Sequence, residues 1–208
     1  MNVVVINYGM GNLGSVRRAL EECGAKVRVS EDPADLGGAH RIVLPGVGAF
    51  ADGMKNLGSA GWPAAILRAL DNPRVALLGL CLGMHLLADR GFEGGDVQGL
   101  GLVSGEVKRL SPSDGERLPH VGWNEIQVAR RDPFLAGIED DANFYFVHSY
   151  QLIPGQSADI VSTTPYCGQF CSIVRKGNVI GTQFHPEKSS RAGFQLLRNF
   201  LSDSILDA

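Results

Sequence analysis

Two short stretches carry residue types at spacings that suit covalent chemistry. The first is 79-GLCLG-83, a G-x-C-x-G run between an apolar strand and a helix-like segment. That is the nucleophile-elbow spacing with cysteine in place of serine. A nucleophile on a sharp strand-to-helix turn strains its backbone, so its neighbours must be small, and Gly79 and Gly83 meet that need. The turn exposes the sulfur at the carboxyl end of a sheet, where open α/β folds bind ligands. A helix N-terminus there favours thiolate over thiol. The backbone N–H of Leu82 becomes a natural oxyanion donor. A buried structural cysteine is the plain alternative.

The second stretch is 185-HPE-187, directly after the strand-like 179-VIGTQF-184. A thiolate nucleophile needs a base, and the base needs an orienter. Residues two apart in an extended segment point the same way, so His185 and Glu187 can enter one site together, with Glu187 fixing the imidazole tautomer. Of the other histidines, His148 has no such orienter nearby in the sequence, His120 suits a structural or partner-facing role, and His40 is expected in solvent. The opening 9-GMGNLG-14 raises another reading. It has G-x-G-x-x-G spacing after an apolar run, and Glu31 and Asp32 follow the next strand where a ribose-binding acid would stand. Asn7, two residues before the first glycine, occupies a position that a dinucleotide strand usually keeps apolar.

These residues must be positioned by the elements around them. Strand signals at 2–6, 26–30, 41–44 and 75–80 alternate with helix signals at 15–23, 62–70 and 82–90. Ser15 is expected to cap the first helix and Gly24 to stop it. The run 75-VALLGL-80 has no polar side chain, as a central, doubly covered parallel strand requires. Beyond Gly91 come short strand candidates at 102–108, 121–128, 143–147, 158–164, 170–175 and 179–184. The last two flank a hairpin turn at Lys176, Gly177 and Asn178. A final helix spans about residues 191–203. The expectation is one α/β domain over 1–208, mostly parallel at first and more antiparallel later.

Composition sets the outer bounds. The chain has 208 residues, 44% hydrophobic and 20% charged, with a net charge of −3. That mix is ordinary for a globular protein, and without a basic run it argues against nucleic acid as the main ligand. No stretch approaches the ~20 apolar residues of a membrane helix, and no leader pattern opens the chain. Cys23, Cys81, Cys167 and Cys171 include no C-x-x-C. Free thiols in a reducing, cytoplasmic setting are expected, and the C-x3-C of Cys167 and Cys171 makes a poor metal site. No metal and no cofactor are expected.

Taken together, G-x-C-x-G and H-P-E resemble the triad-type class I glutamine amidotransferases. The resemblance narrows through 8-YGMGNLGSV-16, 43-VLPGVGAF-50, 119-PHVGWNEI-126, 144-FYFVHSY-150 and 182-TQFHPEKS-189. In that order, and over nearly the whole chain, these segments are similar to the glutaminase subunits of imidazole glycerol phosphate synthases, which serve histidine biosynthesis. The resemblance implies a three-layer, flavodoxin-like fold and a triad of Cys81, His185 and Glu187 that hydrolyses L-glutamine to glutamate and ammonia. It implies an oxyanion strand at 45-PGVG-48, with Val47 and Gly48 beside Leu82, and substrate contacts from Ser149 and Tyr150. It places the glycine loop 9–14 at a subunit interface rather than on a pyrophosphate. A separate (β/α)8-barrel cyclase would complete a heterodimer, with Asn12, Trp123, Asn124, Tyr145 and Lys188 facing it. A core position is the alternative for Trp123. One departure stands out: His85 occupies a position where the family normally has glutamine, one helical turn past Cys81. It implies weaker glutamine binding, altered regulation or a specialised paralogue. Three other functions remain open: a paralogue feeding another synthase, such as one amidating surface-polysaccharide sugars, a catalytically weak regulatory subunit, and a flavodoxin-like binding module.

Overall fold

The computed structural model describes residues 1–113 and 115–206. In chain order the strands are β1 (Asn2–Ile6), β2 (Lys26–Ser30), β3 (Arg41–Leu44), β4 (Ala76–Leu80), β5 (Arg90–Gly91), β6 (Val97–Gln98) and β7 (Gly105–Arg109), followed by β8 (His120–Glu125), β9 (Gln127–Val128), β10 (Asn143–His148), β11 (Tyr150–Pro154), β12 (Ile160–Thr164), β13 (Phe170–Lys176) and β14 (Val179–Thr182). The α-helices are α1 (Leu13–Glu22), α2 (Phe50–Ser59), α3 (Trp62–Leu70), α4 (Leu82–Leu86) and α5 (Ser190–Leu201). Eight strands form the main sheet in the order β2-β1-β3-β4-β14-β13-β12-β9. The half from β2 to β14 is parallel, and the half from β14 to β9 is antiparallel. A two-stranded ribbon, β10-β8, and a four-stranded sheet, β11-β7-β5-β6, stand beside it.

Alternation along the strands splits the core into two layers. Val3, Val5, Val43 and Leu78 face α1 and α5 on one side, against Val16, Leu20, Leu197 and Phe200. Val4, Ile6, Ile42 and Leu77 face α2, α3 and α4 on the other, against Phe50, Leu57, Trp62 and Ile66. A sheet covered on both faces needs apolar residues at every position, which β3 and β4 supply. Cys81 and His185 follow β4 and β14, adjacent parallel strands in which Gly79 pairs with Gly181 and Leu80 with Thr182. Two residues 104 positions apart are therefore delivered to one sheet edge.

Several boundaries differ from expectation. Helix α1 starts at Leu13, and Asn12 rather than Ser15 caps it, accepting from the Ser15 N–H at 3.3 Å. Helix α2 was not expected: Phe50, Met54 and Leu57 recur at helical spacing, but Gly53 and Gly58 lower its helix propensity. Helix α4 ends at Leu86 instead of reaching 90. The loop 99–103 sends its N–H groups to the carbonyls of Leu86, Leu87, Ala88 and Asp89, so those carbonyls are satisfied without another helical turn. The expected strand at 121–128 is two strands, β8 and β9, and β11 was not anticipated as a separate strand.

The glycines of the elbow are steric requirements. A Cβ on Gly83 would sit 1.8 Å from the Leu44 carbonyl oxygen, and one on Gly79 would sit 2.6 Å from the Gly83 oxygen. Both obstacles are backbone and cannot rotate away. Gly83→Ala is expected to cost about 3 kcal/mol in urea unfolding, at the upper end of overpacking penalties. An unchanged denaturation midpoint would show that the turn has room to give.

Candidate functional site

Cys81 sits where β4 gives way to α4, with φ +53° and ψ −108°. A non-glycine residue there stores about 1–3 kcal/mol of strain. The turn is pinned by the Cys81 N–H, which donates to the Thr182 carbonyl at 2.8 Å, and by the Cys81 carbonyl, which accepts from Met84 and His85. Helix α4 is five residues long, so its macrodipole offers far less to the sulfur than the sequence reading expected.

His185 and Glu187 meet, though by another route than expected. Residues Pro186–Lys188 form a 3₁₀ turn instead of an extended segment, because Pro186 fixes the first position of that turn. His185 Nδ1 lies 2.9 Å from Glu187 Oε1, with both side chains buried. The turn is stitched to β10: the His185 N–H donates to the Tyr145 carbonyl at 3.0 Å, and Ser189 Oγ both donates to the His185 carbonyl and accepts from the Tyr145 N–H. Burial disfavours a charged imidazole here. The Cys81 sulfur and the Glu187 carboxylate outweigh it and raise the His185 pKa to about 9. Among the described residues His185 Nε2 has no partner at good hydrogen-bond geometry, yet the Cys81 sulfur is near enough to be the largest influence raising its pKa.

A cavity of about 270 Å³ opens onto the sulfur. Val47, Gly48, Leu82, His85, Ser149 and Tyr150, all expected at a substrate site, line it with Cys81. Pro119, Val147, His148 and Glu93 complete the wall. A larger cavity of about 860 Å³ lies between Glu22 and α5, but no histidine or cysteine lines it. The 9–14 loop packs against 45–48: Gly11 approaches Gly46, and the Met10 methyl fills the space beside Gly48. Glu31 accepts from Asn7 Nδ2 at 2.7 Å, so this acid is held by the strand end.

The other histidines are sorted by their hydrogen bonds. Asn124 Nδ2 donates to His120 Nε2 at 3.3 Å, which leaves His120 Nδ1 to donate to His148 Nε2 at 3.0 Å. His148 Nδ1 then donates to the Tyr150 carbonyl at 2.8 Å. His148 therefore does have an orienter, contrary to the sequence reading. Both its nitrogens are engaged, and burial, reinforced by His85, His120 and His185, pushes its pKa down to about 3. It cannot take a proton at neutral pH. His120 is interior, stacked on Tyr166 and Phe146, and burial lowers it to about 4. His40 is exposed and accepts from the Asn2 N–H. His85 points inward: its Nε2 lies 2.6 Å from Gln183 Oε1, and burial lowers its pKa to about 4 despite that bond.

Two groups at the site escaped sequence reasoning. Gln183 Nε2 lies 3.8 Å from Cys81 Sγ; its place two residues before His185 was the available signal. The Tyr8 hydroxyl is buried without a partner among the described residues, against Gly46 and Leu82. Burial and the Cys81 sulfur push its pKa up.

The expected partner residues form an outward patch in part. Trp123 and Tyr145 are directly paired across β8 and β10 with rings edge to face, and Lys188 Nζ lies over the Tyr145 ring. Trp123 is 53% exposed and Val121 55%, which rules out a core position for Trp123. Asn124 faces the other way, toward His120 and the Pro165 carbonyl. Asn12 is exposed at the start of α1.

Known proteins share the family and the fold. The model of the family described as "Glutamine amidotransferase class-I" matches residues 4–204. Solved structures share the fold: one described as a glutamine amidotransferase superposes with a TM-score of 0.75 at 19% identity, covering 99% of each chain. Another from Thermotoga maritima gives 0.72 at 17% identity, covering 100% of this chain and 99% of that one. The chain is a class I glutamine amidotransferase. Among curated relatives, imidazole glycerol phosphate synthase subunit HisH of Moorella thermoacetica is 47% identical over 95% of this chain and 93% of its own. The subunit of the same name from Natronomonas pharaonis is 48% identical over 96% and 93%. Within its class, the chain belongs to the HisH family.

The charge state of the site can be checked directly. His185 is expected to titrate near pH 9 by NMR. Its folded pKa exceeds the ordinary value of 6.5, so the stability it contributes is full below that pH and is lost as pH rises through about 9. In Cys81→Ala the titration should fall well below that of the parent, since burial then acts with less opposition. A parent titration near 6.5 would contradict the ion-pair assignment.

Proposed function

We infer that the chain hydrolyses L-glutamine through Cys81, His185 and Glu187 and passes the ammonia to a separate cyclase subunit. The observation that carries this reading is a cysteine on a strained strand-to-helix turn, open to a cavity and coupled to an imidazole that Glu187 orients.

The chemistry follows from the charges. The attacking form of Cys81 is the thiolate, which stands beside a protonated His185. The Cys81 sulfur attacks the side-chain carbonyl carbon of glutamine, and the carbonyl oxygen takes up negative charge. The Leu82 N–H is the first of α4 and has no intrahelical acceptor, so it is a donor for that oxygen. Val47 and Gly48 line the same cavity, and their backbone N–H groups would be the second source. His185 gives its proton to the departing nitrogen, and ammonia leaves a glutamyl thioester. Neutral His185 then removes a proton from water, which attacks the thioester. Collapse of the second intermediate releases glutamate, and His185 returns to the protonated state. Glu187 holds the tautomer that points Nε2 toward the sulfur.

Both curated relatives are named as subunits of imidazole glycerol phosphate synthase, and we extend that assembly to this chain. The exposed face of the β8–β10 ribbon suits a barrel partner, since aromatic residues beside a cation are enriched at interfaces. The family's histidine-pathway role and a cytoplasmic setting belong to the same reading. Among the described residues no helix is long and apolar enough to cross a membrane.

Glutamate release should be low for the chain alone, rise sharply with the cyclase subunit and its nucleotide ligand, and vanish in Cys81→Ser. A verified, ligand-bound complex without turnover would overturn the glutaminase reading. Trp123→Ala should weaken partner binding by about 2 kcal/mol, roughly 30-fold in Kd by calorimetry. An unchanged Kd would move the partner to another face.

A further inference from the structure

The Cys81 sulfur lacks the long helix that the elbow pattern implies. When it ionises for attack, its negative charge must be met by nearby groups. A protonated His185 is one, through its charge. Gln183, buried at the end of β14 between Cys81 and His85, is another, through an amide N–H.

The two contacts of Gln183 are linked by the chemistry of an amide, which donates at one end and accepts at the other. A thiolate has no proton to give, so the NH₂ end must face the sulfur. Oε1 must then face His85, and His85 must carry its proton on Nε2. A neutral imidazole can do this, and burial keeps His85 neutral. A thiol has more freedom. Its S–H can donate to the Val147 carbonyl, 3.8 Å away, and leave the amide as it stands, or it can donate to Oε1 in a mirror arrangement, with the amide donating to His85 Nε2 and the imidazole proton on Nδ1. Only the orientation with the amide N–H on the sulfur suits the thiolate, and a proton on His85 Nε2 holds that orientation.

We propose that His85 is a positioning residue that, through Gln183, holds an amide N–H on the Cys81 sulfur and so favours the thiolate. This rests on Cys81 being the nucleophile. Other titratable groups around the sulfur are His185 with Glu187 behind it, His148 and Glu93 in the cavity wall, and Tyr8 beneath the turn. A glutamine at position 85 can also donate to Oε1, so the family's usual residue satisfies the same demand. The histidine is then a replacement that conserves this donor, whatever it does to substrate contacts.

The test is the pH dependence of Cys81 alkylation by iodoacetamide, read peptide by peptide by mass spectrometry in the full chain. Gln183→Leu should move the midpoint upward and slow alkylation at neutral pH by about threefold to tenfold, the range for losing an ordinary hydrogen bond, since this one is long at 3.8 Å. His85→Leu should shift it in the same direction, and the double variant should lose no more than Gln183→Leu alone. His85→Gln should restore the parent midpoint. Buried Cys171 reports on folding; where it becomes reactive in His85→Leu, His85→Phe takes that variant's place. A parent-like midpoint without a donor at position 85, or losses that multiply in the double variant, overturns the relay alone. A Cys81 no more reactive than Cys23 at every pH overturns the relay and the nucleophile together.

Discussion

The contact on which the site depends is between Gly83 and the Leu44 carbonyl. Helix α4 starts so close to the end of β3 that no side chain fits between them. That closeness forces the chain from β4 into α4 through a single residue at positive φ, and that residue is Cys81. Gly46 continues the same packing, with the Tyr8 hydroxyl, Leu82 and the Gly83 N–H around it. The turn bearing the sulfur and the strand expected to bind an oxyanion are thus wedged against each other. The strain at Cys81 is sustained because the two covered faces of the parallel sheet fix β3 and β4 in register.

Histidines within one small region face a second constraint. Two cations close together in a buried site repel each other, and burial penalises each of them. The structure resolves this by spending the nitrogens of three rings on neutral partners. His120 and His148 form a directed chain ending on a backbone carbonyl, and His85 is tied to an amide. Only His185 lies against a carboxylate and a sulfur, and only His185 has its pKa raised. Position in the hydrogen-bond network separates the base from its neighbours, although all four are the same residue type.

What the sequence could disclose follows this division. The sheet-edge placement of Cys81 and His185 was legible because 75-VALLGL-80 and the glycines around Cys81 allow few other structures. The pairing of His185 with Glu187 was legible, but its 3₁₀ geometry was not, since Pro186 suits either backbone. The engagement of His148 was hidden because its orienter is a main-chain carbonyl, which every residue has. Helix α2 was hidden by Gly53 and Gly58, whose weak helix propensity is overridden by burial of Phe50 and Leu57. Gln183 was hidden for a related reason: its meaning comes from His85, 98 positions away, and only the β4–β14 pairing joins them.

The β8–β10 ribbon ties the site's surroundings to its surface. Strand alternation gives the ribbon two chemically distinct faces. His120, Phe144, Phe146 and His148 turn inward, and Val121, Trp123 and Tyr145 turn outward. Val147 shares the outward face and also lines the cavity beside Cys81, and His185 and Ser189 are bonded to Tyr145 of the same ribbon. A protein seated on the outward face would therefore cover the approach to the sulfur. It would also restrain the strand that holds the His185 turn. For a reaction whose product is a small neutral molecule in competition with bulk water, the surface that docks a partner and the surface that shields the chemistry are best built from one piece of chain. A register slip of one residue would exchange the two faces. The cross-strand pair of Trp123 with Tyr145 supports that register from the outside, while Phe144 stacks on Phe184 inside and ties the ribbon to the segment that carries His185.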